Sequence, residues 1–99
     1  MDKYFIVAMG YPKAGKEKDV IAELHKIIPV VRQEKGCLRY DLHTPKDGGC
    51  RFMLYEIWEN KACFEAHGSA PHMAIYREAV KALLEKPADI TVWSADDVA

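Results

Sequence analysis

The stretch FMLYEIWENKACFEAHGSAPHM, Phe52 to Met73, decides how the rest of the chain is read. From Phe52 to Trp58 the residues are aliphatic or aromatic on both faces, with one acid, Glu56, set among them, which predicts a strand rather than a helix. A strand apolar on both sides has to be covered on both sides. In a short chain one helical layer covers one face, and the other must meet a ligand or a second copy of the protein. After Trp58, Asn60 is placed to cap a short helix running through Ala66 and ended by Gly68; Ser69 is placed to cap a second helix, with Pro71 in its first turn.

Working outward, Tyr4 to Met9 is rich in β-formers and predicts a first strand ending near Tyr11, before a Pro12–Gly15 turn. Val20, Ile21, Leu24, Ile27, Ile28 and Val31 form the stripe of an amphipathic helix from about Lys16 to Lys35. Pro29 has no N–H for the carbonyl of His25 and predicts a kink or short break, and Gly36 supplies the stop. From Cys37 to Thr44, Leu38, Tyr40 and Leu42 alternate with Arg39, Asp41 and His43, so the apolar set should face the helices. The turn-rich Pro45–Gly49 segment then predicts an antiparallel hairpin with Phe52–Trp58. Beyond the central stretch, Met73, Tyr76, Val80, Leu83 and Leu84 carry the second helix to about Glu85, Ile90 to Ser94 is the last strand, and Ala95 to Ala99 is a tail with two acids. The order β-α-β-β-α-β is the split βαβ plan of a ferredoxin-like α+β fold with a four-stranded antiparallel sheet. Its second face, carrying residues such as Phe5, Ile57 or Trp93, would be covered by another such sheet.

Ninety-nine residues, 49% hydrophobic and 29% charged, describe one globular domain spanning residues 1–99. A formal charge of -1 lacks the basic stripe of a nucleic-acid binder. No apolar run approaches the ~20 residues of a membrane span, and the start of the chain is too short and too alternating for a signal peptide, so a cytoplasmic protein is expected. Cys37, Cys50 and Cys63 are odd in number and form no CxxC, against both a disulfide framework and a zinc site. His67 and His72, five apart across a helix break, lack a recognisable metal spacing, and no metal is expected.

The run Glu34, Gly36, Cys37, Leu38, Tyr40, then Tyr55-Glu56-x-Trp58, then Glu65-Ala66-His67-x-x-x-Pro71-His72-Met73 resembles the antibiotic biosynthesis monooxygenase (ABM) domain family, and within it the small bacterial quinol monooxygenases. The resemblance extends to Ile27–Cys37 and Pro71–Lys81. It implies a homodimer of ferredoxin-like subunits forming an α+β barrel, with a pocket in each subunit. The chemistries it implies are oxygenation of anthrones and hydroquinones without metal or flavin, isomerisation of a phosphorylated autoinducer, and haem degradation. Ala8, His67 and Arg77 stand where haem-degrading members have asparagine, tryptophan and histidine, which argues against haem. Leu54 and Phe64 replace an asparagine and a tyrosine of the anthrone oxygenases, which argues against an anthrone. His67, Pro71 and His72 match the isomerases, so that reading stays open.

Oxygenation without a cofactor needs an electron-rich substrate that itself reduces dioxygen, with the protein removing a proton, stabilising the anion and keeping the site dry. Histidine suits the proton transfer. His67, His72 and His43 are the catalytic candidates, each with a packing or surface role as the alternative. Trp58, Tyr55 and Phe64 could wall a small aromatic substrate, Arg39 could hold an oxyanion or phosphate, and Glu56 within an apolar strand must be paired or hold its proton. Three functions follow: a cofactor-independent monooxygenase of a quinol or related polycyclic phenol, an isomerase of a small phosphorylated compound, or a non-catalytic ligand-binding dimer.

Overall fold

The structure, a computed structural model, describes residues 2–96; the last three residues of the acidic tail lie outside them. The elements are β1 (Tyr4–Gly10), α1 (Glu17–Val31), β2 (Cys37–His43), β3 (Phe52–Trp58), α2 (Lys61–Gly68), α3 (Pro71–Val80) and β4 (Asp89–Trp93). The strands form one antiparallel sheet in the order β2-β3-β1-β4. This is the ferredoxin-like α+β arrangement, with an open sheet whose edges are β2 and β4.

The two faces of β3 separate as period two demands. Phe52, Leu54, Glu56 and Trp58 are buried under the helices, whereas Met53, Tyr55 and Ile57 are only half-buried on the other side. The register puts Phe5 opposite both Ile57 and Trp93, so these three form one apolar row on the uncovered face. On the covered face, Ile6, Val20, Leu24, Val31, Trp58 and Val80 are fully buried, locking α1 and α3 to the sheet. No helix among the described residues is long and apolar enough to cross a membrane.

Four local expectations are corrected. Leu38, expected inward with Tyr40, is 53% exposed, because a register shift between Cys37 and Arg39 gives Cys37 the place opposite Trp58 and leaves Leu38 as the extra residue. Helix α1 stops at Val31 rather than near Lys35, two residues past Pro29. Ser69 closes α2 instead of capping α3: its hydroxyl donates to the Glu65 carbonyl at 3.0 Å, and Ala70 occupies the N-cap. Finally, α3 ends at Val80, not near Glu85. The Leu83 carbonyl accepts from Lys13 N–H and the Glu85 N–H donates to the Tyr11 carbonyl, both at 2.8 Å, so this backbone pairs with the end of β1 in place of another helical turn.

The early end of α1 shapes the site. Arg32 donates through Nε and Nη2 to the Tyr40 carbonyl, tying the α1–β2 loop to β2. Gly36 then turns the chain with a φ of +79°, and its carbonyl accepts the Glu59 N–H at 2.8 Å. A Cβ at Gly36 would overlap Cys63 Sγ on α2. Gly36→Ala is therefore strained in the left-handed region and collides with α2, and it should cost roughly 1–3 kcal/mol in urea unfolding. With the loop docked in this way, Glu34 is delivered to α2 and α3.

Candidate active site

Between the sheet and α2, α3 and the segment after α3 lies a cavity of about 720 Å³. Its presence follows from small and diverging parts. Ala8 on β1, paired with Leu54 and Ile90, leaves the floor low, and the chain swings away after Val80 to reach Tyr11 and Lys13. Phe52 and Leu54 form the floor, with Phe64 from α2 and Met73, Tyr76 and Val80 from α3 on the walls. The exposed charged residues Arg77, Glu78, Lys81 and Glu85 stand at the rim. An apolar chamber with a few convergent polar groups is the usual form of a small-molecule site.

The polar groups sit at the β2–β3 end. Glu56 is 4% exposed, and its Oε1 accepts the Trp58 indole N–H at 2.9 Å. The two side chains share a face because they are two residues apart on a strand. Burial pushes the Glu56 carboxyl up to about 7; the indole bond opposes this, and the charge of Glu34 adds to it. His67 is 5% exposed and stacks on Trp58, with ring centroids 4.6 Å apart, while Tyr40 meets both rings edge-on. His67 Nδ1 lies 2.9 Å from Glu34 Oε2, and His72 Nε2 lies 2.6 Å from the same oxygen. A carboxylate oxygen accepts, so each ring presents an N–H to it. Burial lowers the His67 pKa; the Glu34 bond and charge resist that, and His72 and Arg77 add to the lowering, so the ring is neutral at neutral pH. Desolvation carries the Tyr40 hydroxyl far above the ordinary phenol range and pushes Tyr76 up to about 12.

No buried side-chain nitrogen or oxygen among the described residues lacks a hydrogen-bond partner. His67 Nε2, Glu56 Oε2 and Tyr40 Oη have no side-chain partner among the described residues, and all three residues line the cavity. The arrangement combines a neutral imidazole with a free lone pair, a carboxyl that keeps its proton to near neutrality, and a phenol, all above an apolar floor. It can take a proton from a bound hydroxyl and return one to a developing oxyanion.

Of the residues singled out in the sequence, Glu56, Phe64 and His67 line the cavity. Trp58 lies beneath His67 and Glu56, and His72 joins His67 only through Glu34. The other three are placed on the opposite sheet face. Arg39 pairs with Asp41 and lies 6.0 Å over the Tyr55 ring, and His43 Nδ1 is 3.2 Å from the Asp41 carbonyl. Sequence reasoning missed Tyr40, Met73 and Tyr76 as cavity residues and Glu34 as the group between the histidines. All four stand within the stretches that carry the family resemblance, Tyr76 in its extension Pro71–Lys81, and that was the one usable signal. Among the described residues no three His, Cys, Asp or Glu side chains converge as metal ligands, and the three cysteines are unpaired.

Glu56 makes the stability of this protein depend on pH. Its carboxyl pKa rises from an ordinary 4.5 to about 7 on folding, so between those values the folded chain holds a proton that the unfolded chain has lost. Stability should therefore be full below about pH 4.5 and fall as pH rises through 7, by about 3 kcal/mol for such a shift. Glu56→Gln cannot ionise yet keeps an oxygen for the indole. Urea unfolding at pH 5 and pH 8 should show most of that loss in the parent and little of it in Glu56→Gln.

The protein Rv0793 of Mycobacterium tuberculosis is 32% identical over 95% of this chain and 92% of its own length. Its solved structure superposes with a TM-score of 0.88 over 98% of both chains. The structure of PA3566 from Pseudomonas aeruginosa, 25% identical, superposes with a TM-score of 0.90 over 98% of this chain and 97% of its own. A protein of Escherichia coli (strain K12) named "Probable quinol monooxygenase YgiN" is 37% identical over 71% of this chain and 75% of its own. Residues 3–81 match the family model described as antibiotic biosynthesis monooxygenase, and the chain belongs to that family.

Proposed function

We propose that this protein is a monooxygenase that oxidises a quinol or related polycyclic phenol with dioxygen, using no cofactor. The observation that carries the reading is His67, a neutral imidazole that lines an apolar cavity with its Nε2 free, beside Glu56, whose carboxyl keeps its proton to about pH 7. The likeness to the E. coli protein named as a quinol monooxygenase supports the substrate class. His67 Nε2 takes the proton of one quinol hydroxyl, and the electron-rich anion gives its electrons to dioxygen. Glu56, with Oε1 held by Trp58, offers its proton through Oε2 to the oxygen that leaves as water. The reaction balances as quinol plus dioxygen giving hydroxyquinone plus water, the four electrons coming from the substrate. Apolar walls favour a flat aromatic ring and exclude the water that would hydrate its anion. Oxygen uptake with a panel of hydroquinones, followed with ¹⁸O-labelled dioxygen, tests this: one labelled atom in the hydroxyquinone supports it, and turnover no faster than autoxidation in buffer overturns it.

The alternative isomerase of a small phosphorylated compound would need a cationic anchor within reach of His67. Arg39 lies on the other sheet face, which leaves Arg77, Lys81 and Lys86 at the rim, beside Glu78 and Glu85, with Lys86 already paired to Asp89. Those acids would repel a phosphate, and the apolar floor gives it no partner.

The uncovered sheet face is part of the same proposal. Phe5, Ile57 and Trp93 form an apolar row, and a second copy packed on it would close two open sheets into the α+β barrel of a homodimer. Sedimentation should give about twice the 11.2 kDa of one chain, and Ile57→Lys should shift it to one. A parent protein sedimenting as a single chain would overturn this part.

A further inference from the structure

Glu34 and His72 have no place in the reaction as proposed, yet with His67 they form a close cluster of titratable groups beside the cavity. One carboxylate oxygen, Glu34 Oε2, receives both His67 Nδ1 at 2.9 Å and His72 Nε2 at 2.6 Å. Side-chain exposure rises outward along the cluster: 7% for His67, 14% for Glu34 and 26% for His72. The inner ring meets the cavity and the outer one meets solvent.

We propose that Glu34 and His72 are positioning residues for His67: Glu34 holds its ring in the tautomer whose Nε2 faces the cavity, and His72, drawing on the same oxygen, limits the positive charge that ring can keep. The inference rests on the reading of His67 as the base. A ring whose Nδ1–H is bonded to a carboxylate has its lone pair on Nε2, so the orientation needed for proton removal is set before substrate enters. The second effect is charge balance. One carboxylate oxygen serves both rings, so positive charge on the outer ring opposes a proton on His67.

The other groups around His67 act in the same sense or not at all. Arg77 of α3, anchored by its Nη2 to the Gly68 carbonyl at 2.9 Å, adds positive charge. Tyr40 of β2 meets the ring edge-on and keeps its own proton. Glu56 of β3, in the same cavity, is neutral until about pH 7. Glu34 is therefore the carboxylate whose bond and charge support the proton on His67, and His72 shares its oxygen. A base held in this way accepts a proton in the transition state and releases it within the turnover.

Ring nitrogen NMR of the substrate-free protein, followed over roughly pH 4 to 9 around the ordinary histidine range, reads this without any assumption about substrate. In the parent, His67 should show a protonated Nδ1 and a bare Nε2. Glu34→Gln keeps an acceptor but removes the charge, so the tautomer should stay and the His67 midpoint fall by about one pH unit. Glu34→Ala should lose the tautomer as well, and Glu34→Asp should restore it. His72→Phe, at the more exposed end, should raise the His67 midpoint by about half a unit to one unit. The acid limb of the kcat profile should follow each shift, with KM little changed. An unchanged His67 midpoint in Glu34→Gln, or a lowered one in His72→Phe, overturns the proposal, and His72→Phe and Glu34→Asp decide it should the larger changes unfold the chain. Absence of quinol turnover in the parent would instead overturn the base assignment and leave the ring measurements standing.

Discussion

Replacing His67 with alanine should lower kcat for quinol oxygenation by about 10²- to 10⁴-fold, the usual contribution of a positioned general base, and move KM far less. The separation follows from what the side chain touches. In the proposed reaction substrate affinity comes from the apolar floor and walls, Phe52, Leu54, Phe64 and Met73, which line the cavity and which the substitution leaves in place. In that proposed reaction the proton transfer is made at Nε2, which the substitution removes. A hydroquinone loses its proton near pH 10 in water, so without a base the reactive anion is scarce at neutral pH.

His67→Ala also removes a ring stacked on Trp58 and one donor from Glu34, so part of the loss could come from a relaxed site. His67→Gln separates the two effects, because its amide can still donate to Glu34 and fill most of the space but cannot take a proton. It should be as inactive as alanine while unfolding near the parent's urea midpoint. Imidazole added to the alanine variant should restore part of the rate through the open cavity. The parent's profile should be bell-shaped: rate rises as His67 loses its proton, below the usual histidine value, and falls as Glu56 loses its own near pH 7. A His67→Gln enzyme that keeps more than about a tenth of the parent kcat would remove this side chain from the chemistry.

The fold was legible because period two and period 3.6 are local properties. The β3 pattern placed Phe52, Leu54, Glu56 and Trp58 together, and the row of Phe5, Ile57 and Trp93 follows from alternation once the strands pair. The buried acid was legible too, since a carboxylate among aromatic residues must either find a partner or hold its proton, and Glu56 does both. What was illegible depends on long-range competition for backbone groups. Whether α3 continues past Val80 is decided by Tyr11 and Lys13, some seventy residues earlier, which offer Leu83 and Glu85 their partners. The displacement of Leu38 depends on Cys37 fitting opposite Trp58. Glu34 reads as a solvated helix acid until α1 is known to stop at Val31. Only then does the loop that Arg32 and Gly36 hold in place carry it to histidines 33 and 38 residues away. Cavities are harder still, because they are defined by what Ala8 fails to fill.

Trp58→Ala should be the most damaging single substitution for stability. The side chain is fully buried and is the largest that is. Truncating a buried tryptophan costs about 3–5 kcal/mol through lost burial and the cavity left behind. Here it also strands the buried Glu56, which accepts the indole N–H, at roughly 1–3 kcal/mol more. Against a typical domain stability of about 5–15 kcal/mol, the variant should sit near its unfolding threshold. Trp58→Phe separates packing from hydrogen bonding, since it keeps an aromatic ring beneath His67 and loses only the donor. The indole bond favours the ionised carboxylate, so its loss raises the folded-state pKa of Glu56 further above the unfolded value. The folded chain then retains the proton to a higher pH, and the fall in stability with rising pH extends beyond the parent's window. The destabilisation caused by Trp58→Phe should accordingly be larger at pH 8 than at pH 5. In a Glu56→Gln background, where nothing can ionise, that difference should disappear; if it persists, the indole is not what holds the Glu56 carboxyl.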